Sequence, residues 1–126
     1  MRIEHIALWT PDLERSRTFY VKYFAAAAND KYTNPAKGFS SYFLTFDGGP
    51  RLELMHMPGI MGSPDQQHFG WIHIAVSVGS KEAVDALTER LHADGYTIES
   101  EPRTTGDGYY ESVVLDPDDN RMEITV

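Results

Sequence analysis

Two short stretches decide how this chain folds: Ile3-Glu4-His5-Ile6-Ala7-Leu8 and Trp71-Ile72-His73-Ile74-Ala75-Val76. The second repeats the first in pattern, and a repeat is the first thing to look for in a sequence. Each stretch is followed by a helical pattern and then by extended segments. The first half closes on Arg51-Leu52-Glu53-Leu54 and the second on Arg121-Met122-Glu123-Ile124. The histidines stand 68 residues apart and the glutamates 70. Such similar offsets predict two modules, 1–57 and 71–126, that follow the same path. The intervening 58–70 is rich in Gly and Pro, lacks periodicity, and reads as a linker.

The 126 residues suit one domain built from two small halves. A chain of this length buries roughly two thirds of its unfolded surface, enough to fold without covalent staples. There is no cysteine. Disulfides, thiolate zinc sites, cysteine-held iron–sulfur clusters and cysteine nucleophiles are therefore excluded. Any metal must be held by His, Asp, Glu, amide or water. Nineteen acidic residues against eleven basic ones give a formal charge of -8, and no basic run interleaves with aromatics. Nucleic acid is an unfavourable partner for that field. No apolar run is long enough to span a membrane, and Met1 to His5 enters a strand pattern with no signal-peptide core. The expectation is a cytoplasmic protein with neither nucleic acid nor membrane as partner.

Periodicity supplies the elements. Ile3 to Trp9 alternates and predicts a strand. Thr10-Pro11-Asp12 reads as a helix start, with Thr10 as cap and Pro11 at the first helical position. Leu13, Arg17, Tyr20 and Phe24 share a stripe, and the helix is expected to run into the alanine tract and stop near Asn29. In the second half Ser80 caps a helix carrying Val84, Leu87 and Leu91, and Gly95 stops it. Extended segments are expected at 39–46, 51–56, 97–99, 109–115 and 121–126. Asp47-Gly48-Gly49-Pro50 and Asp116-Pro117-Asp118-Asp119-Asn120 are turns at matching places.

Strand parity then sorts the side chains, because successive residues face opposite ways. Ile6 and Leu8 share one face, and His5, Ala7 and Trp9 the other. In the repeat His73, Ala75 and Ser77 oppose Ile72, Ile74 and Val76. Leu52 and Leu54 oppose Arg51, Glu53 and Met55; Met122 and Ile124 oppose Arg121, Glu123 and Thr125. Each aliphatic face can pack on a helix, while the other face carries one His or one Glu, the histidines in the company of Ala, Ser and Trp. Two imidazoles and two carboxylates converging in a cavity would bind a divalent metal as a neutral complex and, at six-coordination, leave two positions for water or substrate. The competing reading is a satisfied polar core, or a repeat that has lost its metal. His56, His68 and His92 fit structural or surface roles, with His68 in the linker. Arg103 reads as a solvated loop cation or as an anion clamp. Tyr109 and Tyr110 read as core or wall aromatics.

With these motifs, together with Asp12-Leu13-Glu14-Arg15-Ser16, Phe19-Tyr20 and Leu115-Asp116-Pro117-Asp118-Asp119-Asn120-Arg121-Met122-Glu123, the chain resembles the vicinal oxygen chelate superfamily over nearly its whole length. That superfamily includes glyoxalase I, extradiol dioxygenases, fosfomycin-resistance enzymes and methylmalonyl-CoA epimerase. The resemblance implies an α+β fold of two βαβββ modules whose sheets form a half-open, barrel-like mixed sheet. It implies His5, Glu53, His73 and Glu123 as metal ligands, a pattern similar to bacterial glyoxalase I. Dioxygenases and fosfomycin enzymes of the superfamily use two His and one Glu, and bleomycin-binding members lack the set. It also implies a homodimer, with the site built within one chain or from modules of two. The chain departs from the family pattern at Ala25-Ala26-Ala27-Ala28 and at Asp119, where Gly is usual, and 29–38 does not match a glutathione-binding set.

The expected function is a metal-dependent lyase or isomerase of the glyoxalase type. The metal is Ni, Co or Zn, with Fe or Mn as alternatives, and it stabilises an enediolate-like intermediate of a small oxygenated substrate. Glu123, or else Glu53, is the general base. Trp9, Met55 and Tyr110 are the expected substrate walls. Rival readings are a small-molecule binding or resistance protein without turnover, and an Fe(II) extradiol-type dioxygenase.

Overall fold

The computed structural model describes residues 3–62, 70–106 and 108–126. His68 and most of the expected linker lie outside them. The chain divides into two compact units, Met1–Gly62 and Ser63–Val126.

The first unit holds strands β1 (His5–Trp9), β2 (Ala27–Ala28), β3 (Tyr32–Asn34), β4 (Phe39–Thr45) and β5 (Arg51–His56), with helix α1 (Leu13–Phe24) after β1. Its sheet runs β1-β5-β4-β2, and β3 pairs with β4. The β1–β5 pair is parallel and sets Ala7 opposite Glu53; β4 and β5 are antiparallel. The parity read from the sequence holds. Leu52 and Leu54 are buried with Tyr42 and Leu44 beneath α1, which contributes Leu13, Phe19, Tyr20 and Phe24. His5, Ala7 and Trp9 are exposed on the other side of β1.

The second unit repeats the plan with β6 (Ile74–Ser77), α2 (Lys81–Ala93), β7 (Ile98–Thr104), β8 (Tyr110–Leu115) and β9 (Arg121–Thr125). The sheet order is β6-β9-β8-β7, and the parallel β6–β9 pair sets Ala75 opposite Glu123. Val84 and Leu91 of α2 are buried with Val114, Met122 and Ile124. Thr88 on α2 and Ser112 on β8, both buried, join by a 2.6 Å hydrogen bond that fixes which face of this sheet meets the helix.

Local chemistry explains the helix ends. Ser80 caps α2 as expected, accepting from the Ala83 N–H at 3.1 Å. In α1 the cap is Asp12 rather than Thr10: its carboxylate accepts from Arg15 N at 3.0 Å. The Thr10 hydroxyl instead accepts from Asp12 N and bonds Ser16 within the fold. The alanine tract does not extend the helix, which stops at Phe24. Ala25 takes a left-handed conformation with φ 52, its N–H bonded to the Tyr20 carbonyl, and Ala27–Ala28 pairs with β4. Helix propensity is a weak prior, and the pairing of this edge overrides it. In the second turn Asp116 is buried, and its Oδ1 accepts from the backbone N–H of both Asp118 and Asn120 at 2.9 Å.

A residue with Cβ in the left-handed region costs about 1–2 kcal/mol. Glycine recovers most of that and returns part as unfolded-state entropy. Ala25→Gly is therefore expected to stabilise the fold by up to about 1 kcal/mol and raise Tm by a few degrees in a thermal melt; a lower Tm contradicts this.

Glu14 accepts from Lys31 Nζ at 3.0 Å and from the Tyr42 hydroxyl at 3.0 Å. The Lys31 hydrogen bond, foremost, holds its carboxyl below the usual value of 4.5. A lowered folded pKa adds stability above the unfolded value, and that stability is lost as pH falls through the folded one. Glu14→Gln should cost roughly 0.2–1 kcal/mol at neutral pH, as exposed pairs do. In urea melts the difference from wild type should shrink below pH 4.5; a constant difference contradicts the linkage.

Candidate metal centre

Each unit presents one imidazole and one carboxylate on the sheet face away from its helix. In the first, parallel pairing puts Ala7 beside Glu53, so the Glu53 side chain lies diagonal to His5 over a small neighbour. His5 Nε2 lies 3.9 Å from Glu53 Oε2. In the second, His73 stands just before β6, Ala75 faces Glu123, and His73 Nε2 lies 3.5 Å from Glu123 Oε2. Both glutamate side chains are 16% exposed, whereas the imidazoles are 41% and 38% exposed.

Zinc-type bonds of about 2.0–2.2 Å place two ligand atoms about 3.0 Å apart at a right angle and about 3.4 Å apart at the tetrahedral angle. The 3.5 Å pair is close to that spacing and the 3.9 Å pair slightly wider. The donor chemistry of each pair thus fits a divalent cation. Among the described residues, no three His, Asp or Glu side chains gather closely enough to hold a metal.

His5 is oriented from behind. Its Nδ1 donates to Glu4 Oε2 at 2.5 Å, and an ionised carboxylate can only accept, so Nδ1 carries the proton and Nε2 presents a lone pair toward Glu53. Glu4 is in turn held by Arg51, whose Nη2 lies 2.5 Å from Oε1. The His5 hydrogen bond first, and Arg51 second, lower the Glu4 pKa. Such a carboxylate behind a metal-binding histidine fixes its tautomer and ring orientation. Phe43 completes the support: it pairs with Glu53 in register, meets the His5 ring edge-on at 5.4 Å, and lies under the Arg51 guanidinium at 4.1 Å. Sequence reasoning passed over Glu4 and Phe43. Glu4 lies one residue from a singled-out histidine, and Phe43 has the parity of the open face of β4.

The expected walls divide. Trp9 and Met55 are register partners on the face of His5 and Glu53, and Trp9 meets Phe39 edge-on at 6.3 Å. Tyr110 is a correction: its hydroxyl donates to Asp85 Oδ1 on α2 at 2.7 Å, and Lys81 lies over its ring. It shares the helix-facing side with Ser112, opposite to Glu123, because strand parity alone cannot say which face of β8 meets the helix. The Asp85 bond also raises the Tyr110 pKa. His56 Nδ1 donates to the Thr10 carbonyl at 3.0 Å, a structural role.

Two repeated α+β modules, each turning an imidazole and a carboxylate to its open face, define the class of protein. The chain matches the family model for the Glyoxalase/Bleomycin resistance protein/Dioxygenase superfamily over residues 2–124, and it belongs to that superfamily. It is 28% identical over 129 residues to YqjT, an uncharacterized protein of Bacillus subtilis (strain 168), covering 97% of this chain and 96% of that one. It is 34% identical over 58 residues to the mitochondrial methylmalonyl-CoA epimerase of Bos taurus, covering 46% of this chain and 33% of that enzyme. Among solved structures it resembles a V278E mutant of glyoxalase I from Zea mays, with TM-score 0.79 and 25% identity. That match covers 98% of this chain and 44% of the maize chain, so the chain spans less than half of that enzyme. Among the described residues no helix is long and apolar enough to cross a membrane.

Replacing Glu4 by Gln substitutes a group that can donate as well as accept. Nitrogen-15 spectra of the His5 ring should show the Nδ1–H tautomer dominant in the wild type at pH 7 and a mixture in Glu4→Gln. A dominant Nε2–H form in the wild type contradicts the orientation described.

Proposed function

We propose that this chain is a divalent-metal-dependent lyase or isomerase, acting as a homodimer on a small oxygenated substrate, with His5, Glu53, His73 and Glu123 as the metal ligands. The observation that carries this reading is the repeated spacing of imidazole Nε2 and carboxylate Oε2, 3.9 Å in one module and 3.5 Å in the other. Ni, Co or Zn fits the mixed nitrogen and oxygen donors. When bound, the dication supplies a Lewis acid for two adjacent substrate oxygens.

The chain's own groups supply the rest. Two carboxylates and two neutral imidazoles balance the ion's charge, and Glu4 keeps the His5 lone pair on Nε2. A Glu123 carboxylate oxygen released from or not engaged by the ion would take a proton from the substrate carbon beside the chelating oxygens and return it to a neighbouring atom, so no external acid is consumed. Glu53 is the alternative base. Trp9 and Met55 offer an apolar wall beside Glu53.

The test is metal analysis of protein purified without chelator, followed by titration of stripped protein. One equivalent of Ni, Co or Zn per site is expected, weakened about 10–100-fold or more by His5→Gln or His73→Gln. Glu123→Gln should retain metal and lose about 10²–10⁴-fold in turnover. Stoichiometric metal without turnover on any dicarbonyl-derived or α-oxygenated acid favours a binding protein, and iron with oxygen uptake favours a dioxygenase. No metal uptake at all ends the proposal.

A further inference from the structure

The open face of the second sheet carries a second built feature, two strands from Glu123. Arg103 on β7 is the register partner of Glu111 on β8, which in turn faces Thr125 on β9. Cross-strand partners share a face. Thr125 has the parity of Glu123, and Ser112, next to Glu111, bonds α2 on the opposite side. Arg103, Glu111 and Glu123 therefore project from the same face. At about 4.8 Å per strand and about 3.4 Å per residue, the Arg103 and Glu123 backbones stand roughly 12 Å apart.

The strand is bent to bring Arg103 there. In a regular strand Ser100 and Arg103, three residues apart, point to opposite faces. The β7–β8 register shifts between Ile98 and Ser100 and again between Ser100 and Arg103. Ser100 opposite Val113 and Arg103 opposite Glu111 thus both come to the open face, where Arg103 Nη1 donates to Ser100 Oγ. Bulges of this kind re-aim side chains and gather beside functional sites.

The two arginines of this face differ in what they have left to offer. Arg121 is 18% exposed, and its fork is closed on Glu99, Nε to Oε2 at 2.6 Å and Nη2 to Oε1 at 2.7 Å. Arg103 is 50% exposed and meets Glu111 Oε1 only at 3.7 Å through Nη2, a long contact that holds the guanidinium without saturating it. Glu111 is 9% exposed, so it anchors rather than competes.

Resting on the reading of Glu123 as part of a metal site, the geometry points to Arg103 as a specificity-determining residue: the substrate carries a carboxylate remote from its chelating oxygens, and Arg103 receives it. A guanidinium fork matches a carboxylate by two parallel hydrogen bonds. With the site loaded, the face would offer a Lewis-acidic ion at one end of such a molecule and a guanidinium at the other.

The test uses two probes with the same chelating head, acetohydroxamate and succinate monohydroxamate, titrated into metal-loaded protein. The carboxylate-bearing probe should bind about tenfold more tightly to the wild type. Arg103→Gln should remove that preference and leave acetohydroxamate unchanged, and Arg103→Lys should restore part of it. Because Arg103→Gln leaves Glu111 without its cation, the double variant Arg103→Gln with Glu111→Gln serves if the single one unfolds, and it too should lose the preference. Equal binding of both probes by the wild type, or a preference that survives Arg103→Gln or the double variant, overturns the inference while leaving the metal reading intact. Binding of neither probe overturns both.

Discussion

Everything at the site depends on the parallel pairing of the first strand of each module with its last. In β1–β5 the register sets Ala7 opposite Glu53; in β6–β9 it sets Ala75 opposite Glu123. Each alanine stands two residues after a histidine on the same face. The glutamate can therefore lean across a methyl group toward the imidazole instead of meeting a bulky neighbour. A slip of one residue would turn the carboxylate into the helix-packed side, where Leu52, Leu54, Met122 and Ile124 are buried. The hydrophobic packing under α1 and α2 thus fixes the register that places the polar groups.

The two modules share this geometry and differ in how firmly they hold it. His5 is braced by Glu4, Arg51 and Phe43, whereas His73 follows Ile72 and carries no carboxylate at the preceding position. Where the first sheet ends in the two short strands β2 and β3, the second ends in the bulged β7, which presents Arg103.

Much of this was legible in the sequence because it rests on period-two alternation, which a linear pattern records directly. The open faces of β1, β5 and β9, the Ser80 cap and the turn at 116–120 follow from it and from turn chemistry. What was not legible depends on the neighbours a residue meets. Thr10 and Asp12 are both good caps, and the buried Ser16 hydroxyl decides between them by engaging Thr10. Alanines favour helix, yet Ala27–Ala28 pairs with β4 because α1 has already ended at the left-handed Ala25. Strand β3, at Tyr32–Asn34, is too short to show a period. Tyr110 was ambiguous because parity gives two faces but not which of them meets the helix, and Arg103 read as a loop residue because β7 continues past 99 to Thr104 through two register shifts that break its period.

The central proposal is that the imidazole and carboxylate presented by each repeat would together hold one dication. X-ray absorption at the cobalt edge of the Co(II)-loaded protein reads the first coordination shell directly. The account predicts nitrogen and oxygen scatterers at about 2.0–2.2 Å, with the outer-shell scattering of two imidazole rings per metal. A shell of oxygens alone, or a single ring, would contradict it.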